Sequence, residues 1–110
     1  MINISIYQNE QDEYTGFRME GHAGYAKRGQ DIVCAAVSVL VINTINSLDQ
    51  ITGEKMNVES DENSGIIRCR LVNHPLKETS KALMDSLVLG LSQIEKQYGK
   101  NYCKLTFEEV

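Results

Sequence analysis

Two residues in this sequence have side chains that could break a covalent bond together. The segment from Gly21 to Ser38 reads GHAGYAKRGQDIVCAAVS, with His22 near its start and Cys34 near its end. A thiolate is a strong nucleophile, and an imidazole within reach can take the thiol proton and pair with the sulfur. Asp31 stands three positions before Cys34, and an aspartate there is well suited to begin a helix. Cys34 is then the third helical residue, among the unpaired N–H groups of the first turn, where the helix dipole favours negative charge. The same N–H groups could receive the oxyanion formed when sulfur attacks a carbonyl.

The neighbouring residues each have more than one reading. Asp31 can cap the helix, or it can orient His22 as a third catalytic member. Ser38 lies one turn beyond Cys34 on the same face, where it can support nucleophile or substrate or simply fill space. Gly24, Tyr25 and Gly29 belong to the connecting loop; its glycines allow close approach by a peptide, and the loop could close over one. Cys34 itself, beside Ile32, Val33 and Ala35, also reads as a buried small side chain or a redox-sensing thiol. Spacing alone does not bring His22 to Cys34, because the 11 residues between them can follow many paths.

The remaining reactive residues fall elsewhere. Cys69 and Cys103 sit on apolar faces of strand-like segments and read as core. Three cysteines without a CxxC pair argue against a disulfide framework or a zinc motif, and no metal or cofactor is expected. His74 precedes Pro75 and reads as a surface turn residue. Arg68 and Arg70 mark a solvated sheet face or part of a binding rim. The glycine-containing loop has neither the Walker pattern nor the GxGxxG order.

The elements that must position His22 and Cys34 follow from periodicity. Ile2, Ile4 and Ile6 alternate with polar residues and predict a strand over 1–8; residues 14–21 predict a second, in a hairpin with the first. Residues 32–50 predict a helix ending near Gly53, apolar on nearly all sides and so covered on more than one face. Residues 55–60 form a weak strand, 61–65 a turn and 66–72 a strongly alternating strand. Leu76, Leu83, Leu87, Leu91 and Ile94 place a second helix over 76–98, and a last strand covers Tyr102 to Phe107. The order β-β-α-β-β-α-β predicts an α+β fold, one compact domain over 1–110 with a sheet packed against two helices.

Composition narrows the function classes. With 42% hydrophobic and 24% charged residues, the chain falls outside the disordered range. A net charge of -4 argues against a long nucleic-acid interface but would steer a basic partner. The most apolar stretch, Ile32 to Ile42, is 11 residues against the ~20 a membrane span needs, and the first residues lack a basic region followed by an apolar run. No membrane contact is expected, and a cytoplasmic location is.

The segment GHAGYAKRGQDIVCAAVS resembles the signature of the ribosomal-processing cysteine proteases, the Prp family, in its Gly-His, Gly-Tyr and Gly-x-Asp-Ile-Val-Cys-Ala-Ala elements and its serine. The resemblance extends over essentially the whole chain. It implies that His22 and Cys34 form a catalytic dyad supported by Asp31. It implies removal of a short N-terminal extension from a large-subunit ribosomal protein, the twenty-seventh in the usual numbering, by cleavage after a phenylalanine. It further implies a homodimer and a mobile loop that orders around the substrate peptide. A non-enzymatic peptide clamp and a redox sensor are the rival readings of the same residues.

Overall fold

The computed structural model describes residues 1–27 and 30–110, so Gly29 of the predicted substrate loop lies outside the described residues. Seven elements follow in the expected order: β1 (Ile2–Gln8), β2 (Tyr14–Glu20), α1 (Ile32–Gln50), β3 (Met56–Asp61), β4 (Ile66–Leu71), α2 (Glu78–Tyr98) and β5 (Cys103–Glu109). They build one five-stranded sheet, ordered β3-β4-β2-β1-β5, with helices on one face.

β1 is an interior strand, paired on both of its edges. It pairs antiparallel with β2, as the hairpin reading required, and parallel with β5. The α2 crossover makes the parallel pairing possible, since parallel neighbours cannot be joined by a tight turn. Register aligns the inward residues in rows: Ile4 faces Met19 and Leu105, and Ile6 faces Phe17 and Phe107. Phe17 continues the row to Cys69, and Cys69 to Val58. The period-2 alternation that predicted these strands is thus the alternation between core and solvent. Arg68 and Arg70 point to the open face and are exposed, and Arg18 pairs there with Glu20 at 2.8 Å.

The two helices complete a two-layer core. From α1 come Val33, Val37, Val41, Thr44 and Leu48; from α2 come Ser80, Met84, Leu87 and Leu91. Cys69 and Cys103 are buried in this core, as their strand faces predicted. α1 has the bounds expected from the sequence, and its 19 residues are apolar enough to cross a membrane by length and composition. In the fold its 33/37/41/44/48 stripe lies against the sheet. Ile32, Val39 and Ile42 remain exposed on other sides.

Two boundaries differ from expectation by two residues, at the start of α2 and at the end of β5. α2 starts at Glu78, so Leu76 packs on the core from the connecting segment and not from the helix. His74-Pro75 is a cis peptide, and the His74 ring nitrogen Nε2 lies 3.0 Å from the Tyr14 carbonyl. β5 runs two residues beyond Phe107 because it stays paired with β1 to the end. α2 is tied to the sheet by a 2.6 Å bond from the Tyr14 hydroxyl to Asp85. Burial first, and then Asp85, pushes the Tyr14 phenol up to about 12.

Candidate active site

The site forms where α1 leaves the loop and passes over the β3–β4 hairpin. On a helix, residues 34, 38, 42 and 45 form a stripe one position round from the core stripe 33, 37, 41 and 44. Cys34, Ser38, Ile42 and Ile45 therefore face sideways, toward the inner side of β3 and β4. There they meet Val58, Ser60, Ile66 and Ile67 across a groove of about 450 Å³ that also takes in Met19, Gly21, His22, Asp61, Glu62 and Gly65. The structure thus brings His22, Cys34 and Ser38 to one groove, the two residues of the pair from opposite ends of an irregular loop.

Each is held differently. Cys34 is half-buried in the first turn of α1. His22 is exposed, but the chain around it is fixed on both sides: Gly21 N–H donates to the Gly65 carbonyl at 3.2 Å, and Ala23 is buried in the core. The position of His22 is thereby set by β2 and by the β3–β4 turn.

Asp31 is the N-cap of α1. Its backbone is extended, with φ -81° and ψ 99°, and its Oδ1 accepts from Cys34 N–H at 2.9 Å. Its Oδ2 accepts from Tyr25 N–H at 3.0 Å. Burial pushes the Asp31 carboxyl up, but N–H groups of Cys34, Tyr25, Ala26 and Val33 together outweigh it and hold the group below its ordinary value. Both oxygens are engaged with backbone, which is the capping role. The Cys34 N–H is engaged by Asp31, as a cap at that position requires, which leaves other N–H groups near Cys34 to receive an oxyanion.

The loop residues diverge. Gly24, with φ +72°, stands in open space. Tyr25 does not enter the groove. Its ring packs edge-on against Tyr98 and Tyr102, with centroids 5.5 and 5.2 Å away, at the junction of α2 and β5. Tyr25 thus packs outside the groove that His22 lines. His74 also lies outside the groove, over the open sheet face. Among the described residues, no group of three or more His, Cys, Asp or Glu is arranged to hold a metal ion.

Sequence reasoning missed the hairpin wall. Val58, Ser60 and Ile67 alternate correctly, but β3 is polar and exposed over most of its length, so nothing local marks it as part of a site. Their registers, Val58 opposite Cys69 and Ser60 opposite Ile67, are what place them.

Comparison with known proteins decides the family. The family model for cysteine protease Prp matches residues 1–103. The chain belongs to the Prp family. The ribosomal processing cysteine protease Prp of Staphylococcus aureus is 30% identical over 101 residues, covering 92% of this chain and 94% of the relative. The Bacillus subtilis protein of the same name is 26% identical over 104 residues, covering 92% and 93%. The crystal structure of S. aureus Prp with a covalently linked product peptide superposes with a TM-score of 0.91 at 28% identity, covering 98% of this chain and all of that one. A second S. aureus Prp structure, with a substrate peptide, has a TM-score of 0.83 at 24% identity over the full length of both chains and bears on the fold alone. The chain is a cysteine protease with the Prp fold, and the clamp and redox-sensor readings give way to this.

Proposed function

We propose that this Prp-family protease uses Cys34 as nucleophile and His22 as its base to remove a short N-terminal extension from the twenty-seventh protein of the large ribosomal subunit, cutting after a phenylalanine. The observation that carries the reading is the shared groove, in which His22 and Cys34 stand over an apolar floor of Met19, Ile42, Ile45, Val58 and Ile67. Its volume suits an aromatic side chain with adjoining peptide. The covalent product peptide on the S. aureus relative supports a covalent route here.

His22 accepts the Cys34 proton, and Sγ attacks the carbonyl carbon that follows the phenylalanine side chain. The oxyanion is received by donors other than the committed Cys34 N–H. The Ser38 hydroxyl on the groove wall is one, and a loop N–H is a second. His22 then protonates the leaving amine. Water, with His22 again as base, cleaves the thioester and restores the thiol. Every proton and bond is accounted for by Cys34, His22 and water, so no cofactor takes part.

The same reading carries a homodimer in the cytoplasm, acting on a basic protein without direct contact to nucleic acid. For the dimer, the supporting feature is the outward side of α1 and α2. There Ala35, Ala36, Val39, Leu40, Gly90 and Ile94 line an apolar groove of about 520 Å³ suited to a second copy.

The deciding experiment mixes the protein with the N-terminally extended ribosomal protein and reads intact mass. The expected product lacks the residues up to and including the phenylalanine, and Cys34→Ala and His22→Ala yield none. Full processing by either variant overturns the dyad. Processing at a different bond overturns the stated specificity and leaves the dyad standing.

A further inference from the structure

We infer that Gly65, on the turn between β3 and β4, is a positioning residue for His22, and that this turn is the seat against which the imidazole is held. The inference rests on the reading of His22 as the base. A general base must be held in a defined direction within hydrogen-bond reach of the proton it takes. His22 is exposed and on an irregular segment, and the nearby carboxylate that could have oriented it, Asp31, is spent on backbone N–H groups. Packing against the turn supplies the orientation.

The contact is tight and specific to glycine. A Cβ added at Gly65 would lie 3.3 Å from both Cε1 and Nε2 of the His22 ring and 2.9 Å from the Gly21 carbonyl oxygen. Gly65 also has φ +65°, a conformation that few side chains other than asparagine adopt readily. The turn is internally held. Gly65 N–H donates to the Glu62 carbonyl at 3.3 Å, and Asn63 N–H donates to Asp61 Oδ1 at 3.0 Å. The same turn is clasped to the residue before the histidine, through Gly21 N–H on the Gly65 carbonyl. Ring and hairpin therefore move as one unit, and the hairpin also carries Val58, Ser60 and Ile67 of the groove wall. The residue that binds this unit together lies 43 positions beyond His22, outside the segment that carries the chemistry.

The test separates crowding at Gly65, by the His22 ring and the Gly21 carbonyl that leads into it, from the strain of a positive φ. Gly65→Asn keeps a residue that tolerates positive φ but adds the offending Cβ. Gly53→Asn is the control: Gly53 has φ +66°, and the nearest atom to an added Cβ is Lys77 Nζ at 3.8 Å. Both variants are assayed for peptide cleavage, thermal stability and the pH profile of Cys34 alkylation by iodoacetamide. Gly65→Asn is expected to lose about tenfold to a hundredfold in kcat, since misplacement of a reacting group by about 1 Å can cost about a hundredfold. Its KM should change little, and its alkylation profile should be displaced along the pH axis. Gly53→Asn should keep wild-type kcat and profile. Equal kcat in the two variants overturns the inference, and so does a loss at Gly65 with an unshifted alkylation profile. If Gly65→Asn does not fold, the wild-type protein still gives an answer by NMR: a cross-peak between Gly65 Hα and His22 Hε1 is expected, and its absence overturns the assignment. His22→Ala is run alongside. Retained activity there defeats the dyad reading; its loss, with Gly65→Asn fully active, defeats this inference alone.

Discussion

Replacing Asp31 separates the helix cap from the chemistry, and the geometry sets the size of the effect. Asp31→Ala removes the acceptor of the Cys34 and Tyr25 N–H groups. Loss of an N-cap side chain costs about 1 kcal/mol. The Tyr25 bond adds little, because it is exposed and water replaces it. For 110 residues, an unfolding entropy of about 2.1 cal/mol/K per residue converts 1 kcal/mol into a fall in Tm of about 4 °C. Asp31→Asn should lose far less at neutral pH, because asparagine caps nearly as well. It has only one acceptor oxygen, so it keeps Cys34 and releases Tyr25.

The two variants also differ from wild type in acid. The Asp31 carboxyl is held below its ordinary value in the folded protein. Its ionised form therefore stabilises the fold above the ordinary carboxylate pKa, and that contribution is lost as pH falls through the lowered folded value. The Tm advantage of wild type over Asp31→Asn should shrink on acidification below about pH 4 and vanish once the group is protonated in both states. Thermal unfolding followed by circular dichroism across pH 7 to 2.5, with peptide cleavage at pH 7, checks both parts. An unchanged Tm for Asp31→Ala refutes the capping argument. A hundredfold loss of kcat in Asp31→Asn with unchanged Tm refutes the confinement of Asp31 to capping.

Thiol reactivity and assembly supply two further expectations. Burial pushes the Cys69 thiol up to about 12, and burial followed by the charge of Glu95 pushes Cys103 up to about 11. Brief alkylation of the native protein at pH 7.5 should therefore add a single label, at Cys34, and three after unfolding; early labelling at Cys69 or Cys103 contradicts the packing described. Val39→Glu places a charge on the exposed α1 face, where Val39 is 65% accessible, so the fold should survive while sedimentation shifts from dimer to monomer. A monomeric wild type, or a dimer unaffected by the glutamate, removes that face from the assembly.

The sequence made local features legible and left long-range ones dark. α1 is readable to its ends, because Asp31 offers a cap, the apolar run begins at once and Gly53 closes it soon after. The strands of residues 1–8 and 66–72 declare their inward faces by alternation alone. Beyond the β1–β2 hairpin, what cannot be read is which strands become neighbours. The parallel pairing of β1 with β5 joins residues about a hundred positions apart, and no local pattern encodes it. The candidate site divides in the same way. His22, Cys34, Asp31 and Ser38 lie within one segment whose residue types carry chemical meaning. Gly65, Val58 and Ile67 acquire a role only when the sheet folds the hairpin under α1. Tyr25 illustrates the same limit. Its place in the loop suggested substrate contact, and nothing local could show that its ring packs on Tyr98 and Tyr102, more than seventy positions away.

The three stripes of α1 have a consequence for how this helix can change over time. From Ile32 to Ile42 almost no position lacks an employer. Residues 33, 37 and 41 answer to the stability of the fold, residues 34, 38 and 42 to the proposed turnover, and residues 35, 36, 39 and 40 to the proposed association. An ordinary surface helix can absorb random substitutions on its solvent face, and the polar side of α2 is free to do so. The first three turns of α1 have no such reserve. In a saturation library selected for growth, this stretch should therefore tolerate the fewest replacements in the chain. Its losses should sort by residue modulo the helical turn into unstable, inactive and unassembled classes.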